Sequence, residues 1–147
     1  MIIWHSSIWI DAVSGKVSIQ EIHKVLEQLN FPEMFNTEQT AICVISLFDN
    51  HPKLLRIHDI IVYARKNLEK NYAENTRESI RKLSLKRLVN HGLAIFNKDD
   101  PSRSINSGKW NQCLTDEFYN ILKSSPKDRL SLIKIWTKLH ENLKEKS

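Results

Sequence analysis

Glycine and proline are both rare in this chain, which has three glycines and four prolines among 147 residues. These residues form most tight turns, so their scarcity argues against a fold built from many short strands. Cysteine is equally scarce. Cys43 and Cys113 stand seventy residues apart, with no cysteine or histidine partner at zinc-ligand spacing. These absences favour a mostly helical protein with two buried, reduced thiols.

Long hydrophobic runs are also missing. No segment approaches the length of about 20 apolar residues that a membrane span needs. The first residues, MIIWHSSIWIDAV, lack the basic lead and the cleavage site of a secretory signal. We therefore expect a cytoplasmic protein with no membrane partner. The six histidines are scattered, and the chain has no phosphate-binding glycine loop and no nucleophile elbow. No catalytic residue, metal ligand or cofactor is expected within it.

Positive charge is concentrated in one third of the chain. Between Tyr63 and Lys109 there are eleven lysines or arginines and five acidic residues, a net charge of +6, whereas the whole chain carries +5. The remainder is therefore nearly neutral. A basic segment of this kind is typical of a surface that binds a polyanion.

The spacing of apolar residues predicts four helices ahead of Gly92, over about 18–29, 36–50, 54–68 and 75–92. Ser18 and Glu21 make a capping box for the first helix, and the stretch from Asn75 to Glu78 repeats that pattern for the fourth. The second is expected to open at Asn36. Gly92 stands where a left-handed residue usually ends a helix.

Two short strands, over 93–96 and 109–114, are predicted after Gly92, with a polar loop between them. Thr115 is expected to cap a short helix that Pro126 breaks, and a last helix spans about 128–144. This last helix has two apolar stripes, Leu130-Ile133-Trp136 and Leu132-Ile135-Leu139-Leu143. They cover more of its girth than a surface helix needs, so it is expected to pack on two partners.

The order helix, basic helix, strand, polar loop, strand predicts a winged helix-turn-helix: a mainly α fold with extra N- and C-terminal helices and a small β-hairpin wing. We expect a single domain over 1–147. Its parts are an N-terminal extension and helix (1–35), a winged-helix core (36–119) and a C-terminal helix (120–147).

A helix of this kind fits the major groove of DNA, and a wing reaches phosphate or the minor groove. The candidate DNA-binding residues are Asn75, Thr76, Arg77, Glu78, Arg81, Lys82 and Lys86 on the fourth helix and Arg103, Asn106, Ser107 and Lys109 in the loop. Arg77 and Arg81 share one face and are favoured for base or phosphate contacts, while Lys82 and Lys86 form a second pair of phosphate anchors. Asp99 and Asp100 are expected to cap the loop at Pro101.

Simpler interpretations exist for both segments. A basic helix face is often only solvated, and serine and asparagine often only form turns. The charge concentration and the wing-like segment that follows favour the DNA-binding interpretation for the helix. For the loop serines and Asn106, turn formation and DNA contact remain equally plausible.

Tyr72 to Ser107 resembles the N-terminal domain of BsuBI/PstI-type restriction endonucleases. The matching residues are Tyr72, Asn75, Thr76, Arg77, Glu78, Arg81, Lys82, Gly92, Leu93, Asn97, Asp99, Asp100, Pro101, Arg103, Asn106 and Ser107. Weaker similarity extends from Asn36 to about Tyr119, somewhat over half the chain. The resemblance implies a winged-helix-like domain that helps a restriction enzyme recognise double-stranded DNA.

In that family, cleavage belongs to a following domain in which carboxylates hold Mg²⁺ beside a lysine. No lysine of this chain has an acidic residue two positions before it, as that motif requires. We therefore expect a sequence-specific DNA-binding domain of a type II restriction endonuclease without its nuclease domain, needing no cofactor itself. A nuclease domain or a homodimer mate would bind through the C-terminal helix. The alternatives are a stand-alone winged-helix transcription regulator and a helical protein-interaction adaptor.

Overall fold

The computed structural model of the chain is mainly helical and describes residues 17–146, with side chains as far as Glu141. The extension predicted at residues 1–16 lies outside these residues. The helices are α1 (Ile19–Gln28), α2 (Glu38–Asp49), α3 (Ile57–Asn67), α5 (Asp116–Lys123) and α6 (Pro126–Lys146), with a 3₁₀ turn at Glu33–Phe35. We call the continuous helical segment from Glu74 to Asn90 α4; it comprises a 3₁₀ turn (Glu74–Thr76), an α turn (Arg77–Ser79), a π-helical segment (Ile80–Leu85) and a second α turn (Lys86–Asn90). The strands are β1 (Ala94–Phe96) and β2 (Gln112–Leu114).

Hydroxyl side chains begin several of these helices. The backbone N–H of Glu21 donates to the Ser18 hydroxyl at 3.1 Å, which confirms the predicted cap of α1. Thr115 accepts from the Phe118 N–H at 3.3 Å and caps α5, also as predicted. Ser125 caps α6 in the same way, so Pro126 is the first residue of that helix. The predicted start near Asp128 was therefore two residues late.

The predicted openings of α2 and α4 were wrong. Thr37, not Asn36, caps α2, while the Asn36 amide donates to the His23 carbonyl at 3.0 Å and so ties this turn to α1. No side chain caps α4, because Thr76 is already helical at φ −75° and ψ −14°. The carboxylate of Glu78 bonds to Arg81 instead of reaching back to the helix start.

The three helices α2, α3 and α4 and the two strands form a winged helix. β1 and β2 pair antiparallel with Ala94 opposite Leu114. Leu55 adds a single bridge on the other side of Gln112, with reciprocal backbone bonds of 2.9 Å. This one-residue third strand replaces the start of the third predicted helix, which begins at Ile57 instead of near residue 54.

The core is built around α2. Every side chain from Thr40 to Phe48 is buried, because α2 packs against α1, α3, α4 and β2. The apolar run AICVISLF fits such a position, since a helix covered on all sides needs no polar face. Both cysteines are free and buried, as predicted. Burial raises the pKa of the Cys43 thiol to about 12.

The turn after α4 and the last helix complete the fold. Gly92 has φ +82°, the left-handed conformation predicted for it, and the Leu93 N–H donates to the Leu88 carbonyl at 2.9 Å. On α6, Ile133 and Trp136 are buried. Leu130, Ile135 and Leu139 are exposed at 53%, 57% and 69%. The first predicted stripe therefore packs on the fold except for Leu130. In the second stripe Leu132 is half-buried, and Ile135 and Leu139 form what we call the open face of α6.

Candidate nucleic-acid interface

A groove of about 790 Å³ opens between the start of α3, the outer face of α4 and the loop 97–111. We call this loop the wing and this cavity the basic groove. Its charged or imidazole-bearing lining residues are Arg56, His58, Asp59, Arg77, Glu78, Arg81 and Lys86. The wing side is formed by Phe96, Ile105, Asn106, Ser107, Gly108 and Trp110. The groove is thus lined by four cationic side chains, two carboxylates and two aromatic rings.

The π-helical segment determines which cations share the basic groove. In a π-helical turn the repeat is longer than in an α-helix, and the Lys86 N–H donates to the carbonyl of Arg81, five residues back. The face that starts with Arg77 and Arg81 therefore continues to Lys86 instead of Leu85, which is fully buried. The sequence prediction paired Lys86 with Lys82, but of these two lysines only Lys86 lines the basic groove.

Two hydroxyl groups of α4 bond to α2 on the opposite, buried side. The Ser84 hydroxyl lies 2.9 Å from that of Thr40 and donates to the Gln39 side-chain oxygen at 3.0 Å. The Ser79 hydroxyl also donates to Gln39, at 3.4 Å. Ile80, Leu85 and Leu88 pack on the core beside these bonds. The buried face therefore holds α4 in one rotation and points its cations outwards.

The cations of α4 are paired within the helix but remain accessible. Arg81 makes two bonds to Glu78, at 3.2 and 2.6 Å, and its side chain is 37% exposed. Arg77 lies 3.6 Å from Glu74, and Lys82 lies 3.7 Å from Glu78. The hydrogen bond from Arg81 lowers the pKa of Glu78, so this carboxylate stays ionised near neutral pH.

In the wing, Arg103 bonds to the wing itself. Its guanidinium donates to both carboxylate oxygens of Asp99 at 2.9 Å and to the side-chain oxygen of Asn97 at 3.1 Å. Hydrogen bonds from Arg103, and then from Asn111, lower the pKa of Asp99 to about 2. The side chain of Arg103 is only 12% exposed. Its role as a DNA contact stays a prediction, whereas its role in holding the wing is visible.

Asn97 is the centre of the wing. It is buried at φ +50°, and its side-chain oxygen also accepts from the Asn111 N–H at 3.0 Å. Asn111 in turn donates to Asp99 at 3.2 Å. Asp99 was expected to cap the backbone near Pro101, but these side chains are its partners. Asp100 fits the turn-forming expectation better, since it accepts from the Ser102 hydroxyl at 2.9 Å and its carbonyl accepts from the Arg103 N–H.

The structure divides the predicted DNA-binding residues into two groups. Those that line the basic groove are Arg77, Glu78, Arg81, Lys86, Asn106 and Ser107. Those that lie outside it are Asn75, Thr76, Lys82, Arg103 and Lys109. The Ser107 hydroxyl accepts from the Lys109 N–H at 3.1 Å, so the turn-forming role weighed for this serine is present.

Several lining residues escaped the sequence reasoning. Arg56 and His58 come from the start of α3, a helix whose sequence carries no obvious basic cluster. Ile105 is 73% exposed at the wing, where an apolar side chain among serines was an available but unused signal. Trp110 was assigned to a strand, but it belongs to the wing and its ring lies 5.4 Å from that of Phe96. Only the folded chain brings these three segments together.

Between residues 17 and 141, no group of three or more histidine, cysteine or acidic side chains is arranged to hold a metal ion. None of the helices in residues 17–146 is both long and apolar enough to cross a membrane.

Comparisons with known proteins agree with this architecture. The family described as the BsuBI/PstI restriction endonuclease HTH domain matches residues 16–147. The type II restriction enzyme BsuBI of Bacillus subtilis is 31% identical over 101 residues, which cover 63% of this chain and 32% of that enzyme. The structure of the SdaI restriction endonuclease is similar with a TM-score of 0.74 at 22% identity, over 82% of this chain and 41% of that one. At that identity the similarity concerns the fold.

The family match is longer than the sequence pattern suggested. The resemblance described from the sequence runs from Asn36 to about Tyr119, but the family match also includes α1 and α6. The sequences of α1 and α6 show regularly spaced apolar residues but few polar positions by which the family could be identified. The chain spans 32% of the length of the BsuBI enzyme and 41% of the SdaI chain.

Proposed function

Because the chain belongs to the BsuBI/PstI restriction endonuclease HTH domain family, we propose that it binds double-stranded DNA sequence-specifically through the basic groove, as the recognition domain of a type II restriction endonuclease. The observation that carries this proposal is the alignment of Arg77, Arg81 and Lys86 on one face of α4, opposite the wing. A helix with such a face fits the major groove, where each base pair shows a distinct pattern of donors and acceptors.

The elements around the basic groove have different parts in this binding. The first half of α4 enters the major groove. Arg56 at the start of α3 and Lys86 lie where they reach phosphates on either side of it. Asn106 and Ser107 present polar groups from the wing to the backbone. Asn75, Thr76, Lys82 and Lys109 lie outside the groove and are assigned weaker, outer phosphate contacts, which carry no sequence information.

Cleavage is assigned to another part of the enzyme. No lysine here follows an acidic residue at the spacing that the family's metal-binding motif needs. The chain by itself is therefore expected to leave plasmid DNA intact in the presence of magnesium, because Mg²⁺ would act in a nuclease domain. Site-specific cleavage by the purified chain would refute this part of the proposal.

The open face of α6 is the proposed contact with the rest of such an enzyme or with a homodimer mate. Ile135 and Leu139 lie one turn apart, are mostly exposed, and continue from the half-buried Leu132. Apolar area of this kind gains about 25 cal/mol per Å² when it is covered. Replacing Ile135 and Leu139 with lysine should weaken that association and leave DNA binding by the chain unchanged.

A restriction enzyme of this kind would act in the cytoplasm.

The decisive test is selection of bound duplexes from a random pool, followed by affinity measurements. The double variant Arg77→Ala, Arg81→Ala should lose affinity for the selected duplex far more than for random duplex, because only the former loses base contacts. A matched control removes the same charge elsewhere: Lys24→Ala with Lys127→Ala, on α1 and α6, should have little effect on either duplex. Equal losses on both duplexes by the groove variant would contradict base readout.

Salt dependence separates DNA binding from a protein-interaction role. The logarithm of DNA affinity should fall with the logarithm of salt concentration with a slope of about −0.9 per neutralised phosphate. Four cations are assigned to phosphates (Arg56, Lys82, Lys86 and Lys109), so a change from about 50 to 200 mM salt is expected to weaken binding roughly 100-fold. An affinity that does not respond to salt would favour the adaptor.

A further inference from the structure

Glu78 and Arg81 form a two-bond ion pair on the wall of the basic groove. Nε of Arg81 donates to one carboxylate oxygen at 3.2 Å, and Nη2 donates to the other at 2.6 Å. Both residues line the groove. The pair holds the guanidinium in one orientation before any ligand is bound, so less rotamer freedom is lost on binding.

The geometry leaves the other edge of the guanidinium open. Arginine has five N–H donors, and Glu78 accepts from two of them. The remaining edge, formed by Nη1 and the second hydrogen of Nη2, is a fork of parallel donors that fits O6 and N7 of guanine in the major groove. On the premise of the proposed function, we propose that Arg81 reads a guanine through this edge and that Glu78 is its positioning residue.

The carboxylate favours a base over a phosphate as the ligand of Arg81. Glu78 is ionised near neutral pH, because the hydrogen bond from Arg81 lowers its pKa. Its negative charge would repel a phosphate bound to the same guanidinium, whereas the edge of guanine carries only partial charges. The pair is neutral as a whole. It therefore contributes little to non-specific attraction, and its hydrogen-bonding edge can discriminate between bases.

The neighbouring cations are held differently. Arg77 makes one longer contact of 3.6 Å with Glu74, and its side chain is 49% exposed. Within the described residues no carboxylate lies within ion-pair distance of Lys86. These two side chains keep the rotational freedom and the net charge that suit phosphate contacts. Glu74 is thus a matched control for Glu78, since it pairs with an arginine on the same helix without fixing its orientation.

The test scans the guanines of the duplex that the chain selects from a random pool. Each guanine is replaced in turn by 7-deazaguanine, which lacks the N7 acceptor. The wild type should lose about tenfold in affinity at one position, because one of the two bonds of the bidentate contact, from a charged donor, is lost. In Glu78→Gln that position-specific loss should shrink to about twofold, while affinity for random duplex rises because a repulsive charge is gone. Glu74→Gln should keep the wild-type profile.

Each contrary result has a distinct meaning. An unchanged profile in Glu78→Gln would overturn the positioning role, since a merely helix-stabilising pair would not alter one base position. A wild-type profile without any sensitive guanine would overturn guanine readout but leave DNA binding intact. Failure to select any duplex would refute the proposed function itself. Should Glu78→Gln unfold, Arg81→Lys, which keeps the charge but removes the fork, must lose the sensitive position or the inference fails.

Discussion

The two walls of the basic groove use their polar side chains in opposite ways. On α4, cations such as Arg77 and Lys86 are exposed and line the groove. In the wing, Asn97 and Asn111 are buried at 1% and 7% exposure, and Arg103 is bonded to its neighbours. The cations of the helix wall are accessible from the groove, whereas these three wing residues use their hydrogen bonds to maintain the shape of the wing. In a related domain, a polar residue at an equivalent position is therefore evidence for ligand binding if it lies on α4 and for a structural role if it lies in the wing.

Asn97→Ala should have the largest effect. It removes an acceptor of two hydrogen bonds and leaves alanine at φ +50°, so unfolding free energy is expected to fall by about 2 to 4 kcal/mol. Urea denaturation measures this. Asn97→Gly, which tolerates the backbone conformation, should cost about 1 kcal/mol less. If Asn97→Ala lowered DNA affinity without any loss of stability, the wing wall would belong with the helix wall.

Deleting Leu83 tests the π-helical segment. Removal of one residue should turn this segment into a regular α-helix and keep Lys86 on the face of Arg77 and Arg81. The buried bonds of Ser84 would be lost, so a destabilisation of about 1 to 3 kcal/mol is expected with DNA affinity nearly unchanged. Circular dichroism and thermal unfolding report the outcome. Deleting Ser46 from α2, which has no such segment, should rotate the rest of that helix by about 100° and prevent folding. Equal damage by both deletions would contradict this account.

Lys86→Gln and Lys82→Gln compare a lysine that lines the basic groove with a lysine of the same helix that lies outside it. Lys86 lines the basic groove, so its loss should weaken binding to any duplex by about 3- to 10-fold and reduce the salt slope by about 1. Lys82 lies outside the groove beside Glu78, and the same change there should have a smaller effect. Filter binding at several salt concentrations measures both. Equal effects would mean that the π-helical segment does not set the binding face.

Acid should loosen the wing, with the smallest effect of the series. The pKa of Asp99 is lowered to about 2 by Arg103, so its stabilisation is present above the ordinary pKa near 4 and is lost as pH falls through 2. The NMR signal of the Arg103 guanidinium should shift across this window. Asp99→Asn should abolish the transition. A transition that persisted in Asp99→Asn would assign it to another carboxylate.

Much of the fold followed from local patterns. Ser18, Thr115 and Gly92 were identified correctly because each acts through backbone groups within a few residues. The π-helical segment was not foreseen, since no local pattern shows that Ser84 bonds to Thr40 and Gln39 of α2 while Leu85 is also fully buried. Local spacing alone predicts a regular α-helix there.

Only some of the residues that line the basic groove could be predicted, because the groove also depends on contacts between distant segments. The candidate residues on α4 lie close together in sequence, and charge concentration revealed them. Arg56 and His58 join them only through the fold. Arg103 was expected to be a free donor, but it already bonds to Asn97 and Asp99. Sequence shows which groups are present, but not whether another side chain already occupies them.

The single-residue bridge at Leu55 couples two parts of the groove. Gln112 exchanges two backbone bonds of 2.9 Å with Leu55 and donates a side-chain bond of 2.6 Å to the same carbonyl. Leu55 directly precedes the first cation of the groove, Arg56, while Gln112 directly follows the wing. The wing and the start of α3 are therefore joined on one side of the groove, and α4 lies on the other side. Under the proposed function, we expect any change in the width of the groove to move the wing and the start of α3 together relative to α4.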